Sequence, residues 1–132
     1  MHKKIIIIYV LIFLYSSMIN ANEICKNPKH ETDIMICEIS KRINVDPIIV
    51  ASSMTFASIE LTANYCNFEL SRNYFNATLP LLNNQAKKAK ALFIDMYLQN
   101  ELPPPGYYGN DKMYCKFNYD LLGPKSKEKF FN

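Results

Sequence analysis

Residues 46–65 read DPIIVASSMTFASIELTANY. Aspartate accepts the free amide hydrogens at a helix start, and proline in the first helical position gives up no donor the helix needs. From there Val50, Met54, Ala57, Leu61 and Tyr65 recur at steps of four, three, four and four. That spacing draws a single apolar stripe with the period of an α-helix, not the alternation of a half-buried strand. A long helix from Asp46 to about Tyr65 is therefore the expected centre of the fold.

The same period governs the chain on either side. A helix is expected over about Thr32 to Ile43, with Ile36, Ile39 and Ile43 on one side, broken by Asn44 to Asp46. Cys66 closes the long helix, and a short third one starts at Ser71 and carries Tyr74 and Phe75. Thr78 and Pro80 are read as the start of a fourth helix running to about Asn100, with Leu82, Ala86, Ala89, Phe93 and Met96 inward. Its Lys87, Lys88 and Lys90 are read as a solvated face. A last helix spans Asp111 to Leu122, with Tyr114, Phe117 and Leu121 inward, and stops at Gly123 and Pro124. The tail KSKEKFFN is expected to fray. The fold class expected is all-α, a small bundle of four to five helices.

The first 21 residues stand apart. His2, Lys3 and Lys4 precede the unbroken apolar run Ile5 to Tyr15, then Ser16, Ser17 and a small Ala21. That is the layout of a secretory signal peptide cut after Ala21. Eleven apolar residues are too few to span a bilayer, which takes roughly 20. The expected organisation is thus a signal peptide over 1–21 and one helical, disulfide-bonded domain over 22–132, with no stable membrane anchor after cleavage. Losing Lys3 and Lys4 lowers the formal charge from +3 to +1. A nearly neutral domain has no electrostatic footprint for nucleic acid.

All four cysteines, Cys25, Cys37, Cys66 and Cys115, follow the signal. An even number behind an export signal reads as disulfides in an oxidising compartment, here the periplasm or the exterior. Of three possible pairings, Cys25–Cys37 with Cys66–Cys115 is preferred, because each bond ties a segment to the element it should pack on. No Cys-x-x-Cys spacing occurs and His30 is the one histidine past the signal, so no metal and no other cofactor is expected. His30, beside Lys29 and Glu31, reads as a surface residue and not as a catalytic base. Three glycines in the whole chain leave no phosphate-cradling loop.

The stretch from Ile43 to Glu60, INVDPIIVASSMTFASIE, resembles the start of the catalytic helix of lytic transglycosylases. In that family the acid that protonates the glycosidic oxygen lies about ten residues after the Asp-Pro pair and is followed by serine. Ala57 holds that position here, followed by Ser58. Alanine has no proton to give, and Glu60, one turn on, would be displaced from the sugar. No enzymatic activity is expected.

Leu102 to Asn110, LPPPGYYGN, must be a surface loop. Tyrosine is enriched at protein interfaces, so Pro104, Tyr107, Tyr108 and Asn110 are the candidate partner-binding residues. In size, export and cysteine count the chain resembles the small helical, disulfide-bonded immunity proteins that neutralise type VI secretion toxins. The resemblance implies an exported protein-binding module, an inhibitor whose partner is a toxin or another envelope protein. The alternatives are a carrier with an apolar cavity lined by Met54, Phe56, Phe93, Met96 and Tyr97, similar in scale to insect odorant-binding proteins, or a secreted effector. Asn76-Ala77-Thr78 is a glycosylation sequon that matters only in a eukaryotic secretory route. The short basic start and isoleucine run read as a bacterial signal.

Overall fold

A computed structural model of the chain describes residues 21–99 and 111–132. Its helices are α1 (Ala21–Lys26), α2 (Glu31–Ile43), α3 (Pro47–Cys66), α4 (Arg72–Thr78), α5 (Asn84–Leu98) and α6 (Asp111–Leu122), with a 3-10 turn at Leu79–Leu81 between α4 and α5. No strand is present among the described residues, and Leu70 and Phe131 form one isolated antiparallel bridge. The all-α expectation holds, and the described residues include one helix that the sequence reading did not place. The addition is α1, too short to show a period.

Helix boundaries follow side-chain chemistry. Asp46 caps α3 by accepting from the Ile48 amide at 2.9 Å, as its sequence predicts. Asn44 and Asn67 end α2 and α3 in the left-handed conformation, which asparagine tolerates better than most residues. The start of α5 is a correction. Pro80 lies in the 3-10 turn, and Asn83 Oδ1 accepts from the Ala86 amide at 2.9 Å, so the helix begins at Asn84. An asparagine cap supplies the acceptor that proline cannot. Gly123 ends α6 because its amide reaches Tyr119 O at 2.7 Å, and a Cβ there would lie 2.3 Å from that oxygen.

The core is built around α3. Its first half joins Ile36 and Ile39 of α2 to Ala89 and Phe93 of α5 through Val50, Ala51, Met54 and Ala57. Its second half, through Ile59 and Ala63, meets Tyr74 of α4, Leu122 of α6 and Phe131 of the tail. α3 is therefore buried on several faces, with Ser53, Thr55 and Thr62 among its buried residues. Ser53 and Thr55 satisfy their hydroxyls on carbonyls one turn back. That is why the expected single stripe understated the buried surface; its end, Tyr65, keeps 37% of its surface exposed.

Both disulfides have the expected pairing: Cys25–Cys37 fastens α1 to α2, and Cys66–Cys115 fastens the end of α3 to α6. The tail is not frayed. Ser71 N donates to Phe130 O at 2.8 Å, Phe131 N to Leu122 O at 2.9 Å, and Asn132 N to Glu69 O at 2.9 Å. The driving force is the buried Phe131 ring, 4.9 Å from that of Phe68. On α6 the inward residue one turn after Tyr114 is Asn118 and not the expected Phe117, which is exposed. Asn118 is tolerated because its Nδ2 donates to Tyr114 O at 2.8 Å.

Candidate functional site

The sequence-predicted contact residues Pro104, Tyr107, Tyr108 and Asn110 lie outside the described residues. Within them, the most exposed run of large apolar side chains is on α4 and the turn that follows. Ser71 caps this helix by accepting from Tyr74 N at 3.3 Å. Tyr74 and Thr78, four apart, then face inward and are buried. The residue after each turns outward, and Phe75 and Leu79 do so with 45% and 64% of their surface exposed. Leu81 adds 56%. Single exposed leucines are ordinary, but three large apolar residues exposed within seven positions leave apolar surface that water does not favour. Sequence reading placed Phe75 on this helix without finding its exposure. Neighbouring aromatics at 74 and 75 offer no pattern that says which faces in.

A polar cluster lies beneath the same helix. Glu60 Oε2 accepts from Tyr74 OH at 2.7 Å and sits 2.6 Å from Lys90 Nζ. Tyr74 OH also reaches Phe56 O at 3.3 Å. Burial, with the hydrogen bond to Glu60 as second cause, raises the Tyr74 pKa far above the usual phenol range, so the ring stays a donor. One carboxylate thus joins α3, α4 and α5. Its Oε2 receives both donors. Ala57, at the position of the transglycosylase acid, is wholly buried in the core.

The three α5 lysines do not share one solvated face. Lys90 pairs with Glu60, and Lys88 Nζ reaches the Ile43 carbonyl at 3.4 Å at the end of α2, while Lys87 is exposed. The signal for Lys90 was present: it lies four after Ala86 and three before Phe93, both inward. A second polar contact, 2.8 Å between Thr62 Oγ1 and Tyr114 OH, joins α3 to α6. Burial pushes the Tyr114 pKa up to about 12.

His30 is exposed and precedes α2. Among the described residues no three histidine, cysteine, aspartate or glutamate side chains converge. Of the residues considered for a carrier, Met54 and Phe93 belong to the first core cluster and Met96 packs against it. Among the described residues no single helix is long and apolar enough to cross a membrane. Comparison with protein families, curated proteins and solved structures returned no match to this chain.

Proposed function

We propose that the chain is an exported protein-binding module, an inhibitor or immunity-type protein that acts by covering part of a toxin or envelope protein and carries out no chemistry of its own. The observation that supports this reading is the exposed apolar run of Phe75, Leu79 and Leu81. Such residues supply the desolvated centre of protein interfaces, where a few large side chains carry most of the affinity. Two disulfides are compatible with an oxidising compartment outside the cytoplasm. Pro104, Tyr107, Tyr108 and Asn110 belong to the proposed contact set on sequence grounds.

The test is affinity capture from the native cell envelope with the oxidised protein as bait. One stoichiometric partner should be recovered, and it should be lost with Leu79→Ser or Phe75→Ser while the circular dichroism and urea midpoint stay close to the parent. Leu79→Ser should change stability by no more than about 0.5 kcal/mol, and Phe75→Ser by somewhat more, because the Phe75 ring meets that of buried Tyr74 edge-on at 5.4 Å. A partner recovered equally well by both variants would overturn the assignment of this face.

A further inference from the structure

Between the start of α4 and the C-terminal tail runs an open groove of about 460 Å³. Arg72 and Asn73 line it from α4, Lys129 from the tail, and Phe131 with Pro124 supply its apolar lining. None of its lining side chains is acidic. Among the described residues no carboxylate pairs with either Arg72 or Lys129.

Lys129 is held in place by its backbone. It adopts φ 52°, a conformation costlier for lysine than for glycine. Ser126 Oγ accepts from its amide at 3.0 Å, and Ser71 Oγ donates to its carbonyl. The tail thereby brings a second cation into the groove that Arg72 lines, in a domain whose charge is otherwise nearly balanced. From Arg72 the outward face of α4 continues to Phe75, three residues on, and into the 3-10 turn at Leu79.

We propose that this groove is an anchor for a carboxylate-bearing segment of the partner: an acidic peptide whose side chain pairs with Arg72 and Lys129 and whose apolar neighbours cover Phe75 and Leu79. The assignment rests on the protein-binding reading above. Arginine and lysine around an apolar lining recognise a carboxylate by charge-assisted hydrogen bonds while its carbon chain packs below. Phosphate-rich polymers call for a broad basic surface, which a formal charge of +1 past the signal does not provide.

The test is an amide-resolved NMR titration of the oxidised protein with the blocked peptide Glu-Asp-Ala-Leu-Phe, its neutral isostere Gln-Asn-Ala-Leu-Phe, and inorganic phosphate. The acidic peptide should shift the amides of Arg72, Asn73, Lys129 and Asn132. Arg72→Gln or Lys129→Gln should weaken its binding by roughly tenfold, as loss of one charge-assisted contact implies. Added salt should weaken it further. Equal binding of the neutral peptide, equal binding of phosphate, or an unchanged dissociation constant in Arg72→Gln would overturn the proposal. A captured partner that is lost with Leu79→Ser but indifferent to Arg72→Gln would also overturn the groove assignment, and would leave the protein-binding reading standing. Peptide binding at the groove with no captured partner would do the reverse.

Discussion

Lys90 on α5 and Glu60 on α3 meet at 2.6 Å, and the carboxylate oxygen they share also takes the Tyr74 hydroxyl. The two charged side chains keep 22% and 28% of their surface, so water still screens the pair in part. Tyr74, by contrast, is buried, and its hydroxyl also reaches the Phe56 carbonyl at 3.3 Å. Removing the carboxylate therefore leaves the buried phenol only its longer bond to Phe56 O and deprives a half-buried ammonium of its counter-ion. Glu60→Ala should lower unfolding stability by about 1–3 kcal/mol, read from the urea midpoint at neutral pH. Lys90→Met should cost less, since it leaves Glu60 with its tyrosine donor and extends the apolar flank of α5. A Glu60→Ala protein as stable as its parent would mean that the cluster does not tie the helices.

The buried phenols make stability sensitive to alkali. Tyr74 and Tyr114 have raised pKa values in the folded protein, chiefly through burial, against about 10 in the unfolded chain. Below pH 10 both states hold the proton and the contribution is fully present. Above it the folded state holds more protons than the unfolded one, so stability falls as pH rises. The loss for Tyr114 spans the interval from about 10 to about 12. Each tyrosine should contribute a slope of about 1.4 kcal/mol per pH unit in that window. Urea midpoints between about pH 9 and about pH 11 should fall less steeply in Tyr114→Phe and Tyr74→Phe than in the parent. Equal slopes in all three proteins would remove these two phenols as the cause.

What could be read in advance, and what could not, follows from how local each signal is. Asp46 and Pro47 announce α3 because a cap acts within one turn, and Gly123 and Pro124 end α6 for the same reason. The cysteine pairing was legible from which helices had to touch. Phe130 and Phe131 lie in a lysine-rich tail with no period, and only the fold puts Leu70 and the Phe68 ring beside Phe131. Periodicity chose Phe117 over Asn118 because it scores polarity and cannot see the Tyr114 carbonyl that accepts from the Asn118 Nδ2. For the site, the α4 patch depends on which of two adjacent aromatics turns inward. Tyr74 does so because Glu60 and the Phe56 carbonyl, both on α3, accept its hydroxyl.

The two disulfides should differ in worth. Cys66–Cys115 closes a span of 49 residues and Cys25–Cys37 a span of 12. In the chain-entropy account these correspond to about 4 and about 3 kcal/mol. Cys66–Cys115 also holds α6 against the end of α3, where the Thr62–Tyr114 contact is buried. Replacing Cys66 and Cys115 together by alanine should lower the urea midpoint more than replacing Cys25 and Cys37. The Tyr65–Tyr114 edge contact, 6.1 Å between centroids, should loosen in the first variant alone, visible as a loss of near-ultraviolet circular dichroism. A larger loss from the Cys25–Cys37 pair would reverse this ranking and make α1 the more important element.

Phe131 tests whether the tail is part of the folded unit. Its ring is buried between α3, α4 and α6, and tilts against Phe68 at 4.9 Å. Its amide bonds Leu122 O, and its neighbour Phe130 accepts from Ser71 N and meets the Tyr74 ring edge-on at 5.6 Å. Phe131→Ala should cost about 3–5 kcal/mol, the range for emptying a buried aromatic site. Phe130 is only half-buried, and its replacement by alanine should cost clearly less. Phe131→Ala should also release Lys129 from its left-handed conformation, since the tail segment that holds it would no longer be pinned at Leu70 and Leu122. The measurement is the urea midpoint together with the amide exchange rates of Phe131 and Asn132, which should be slow in the parent and fast in the variant. A variant within about 1 kcal/mol of the parent, with those amides exchanging fast in both, would show a tail that lies on the domain without packing into it.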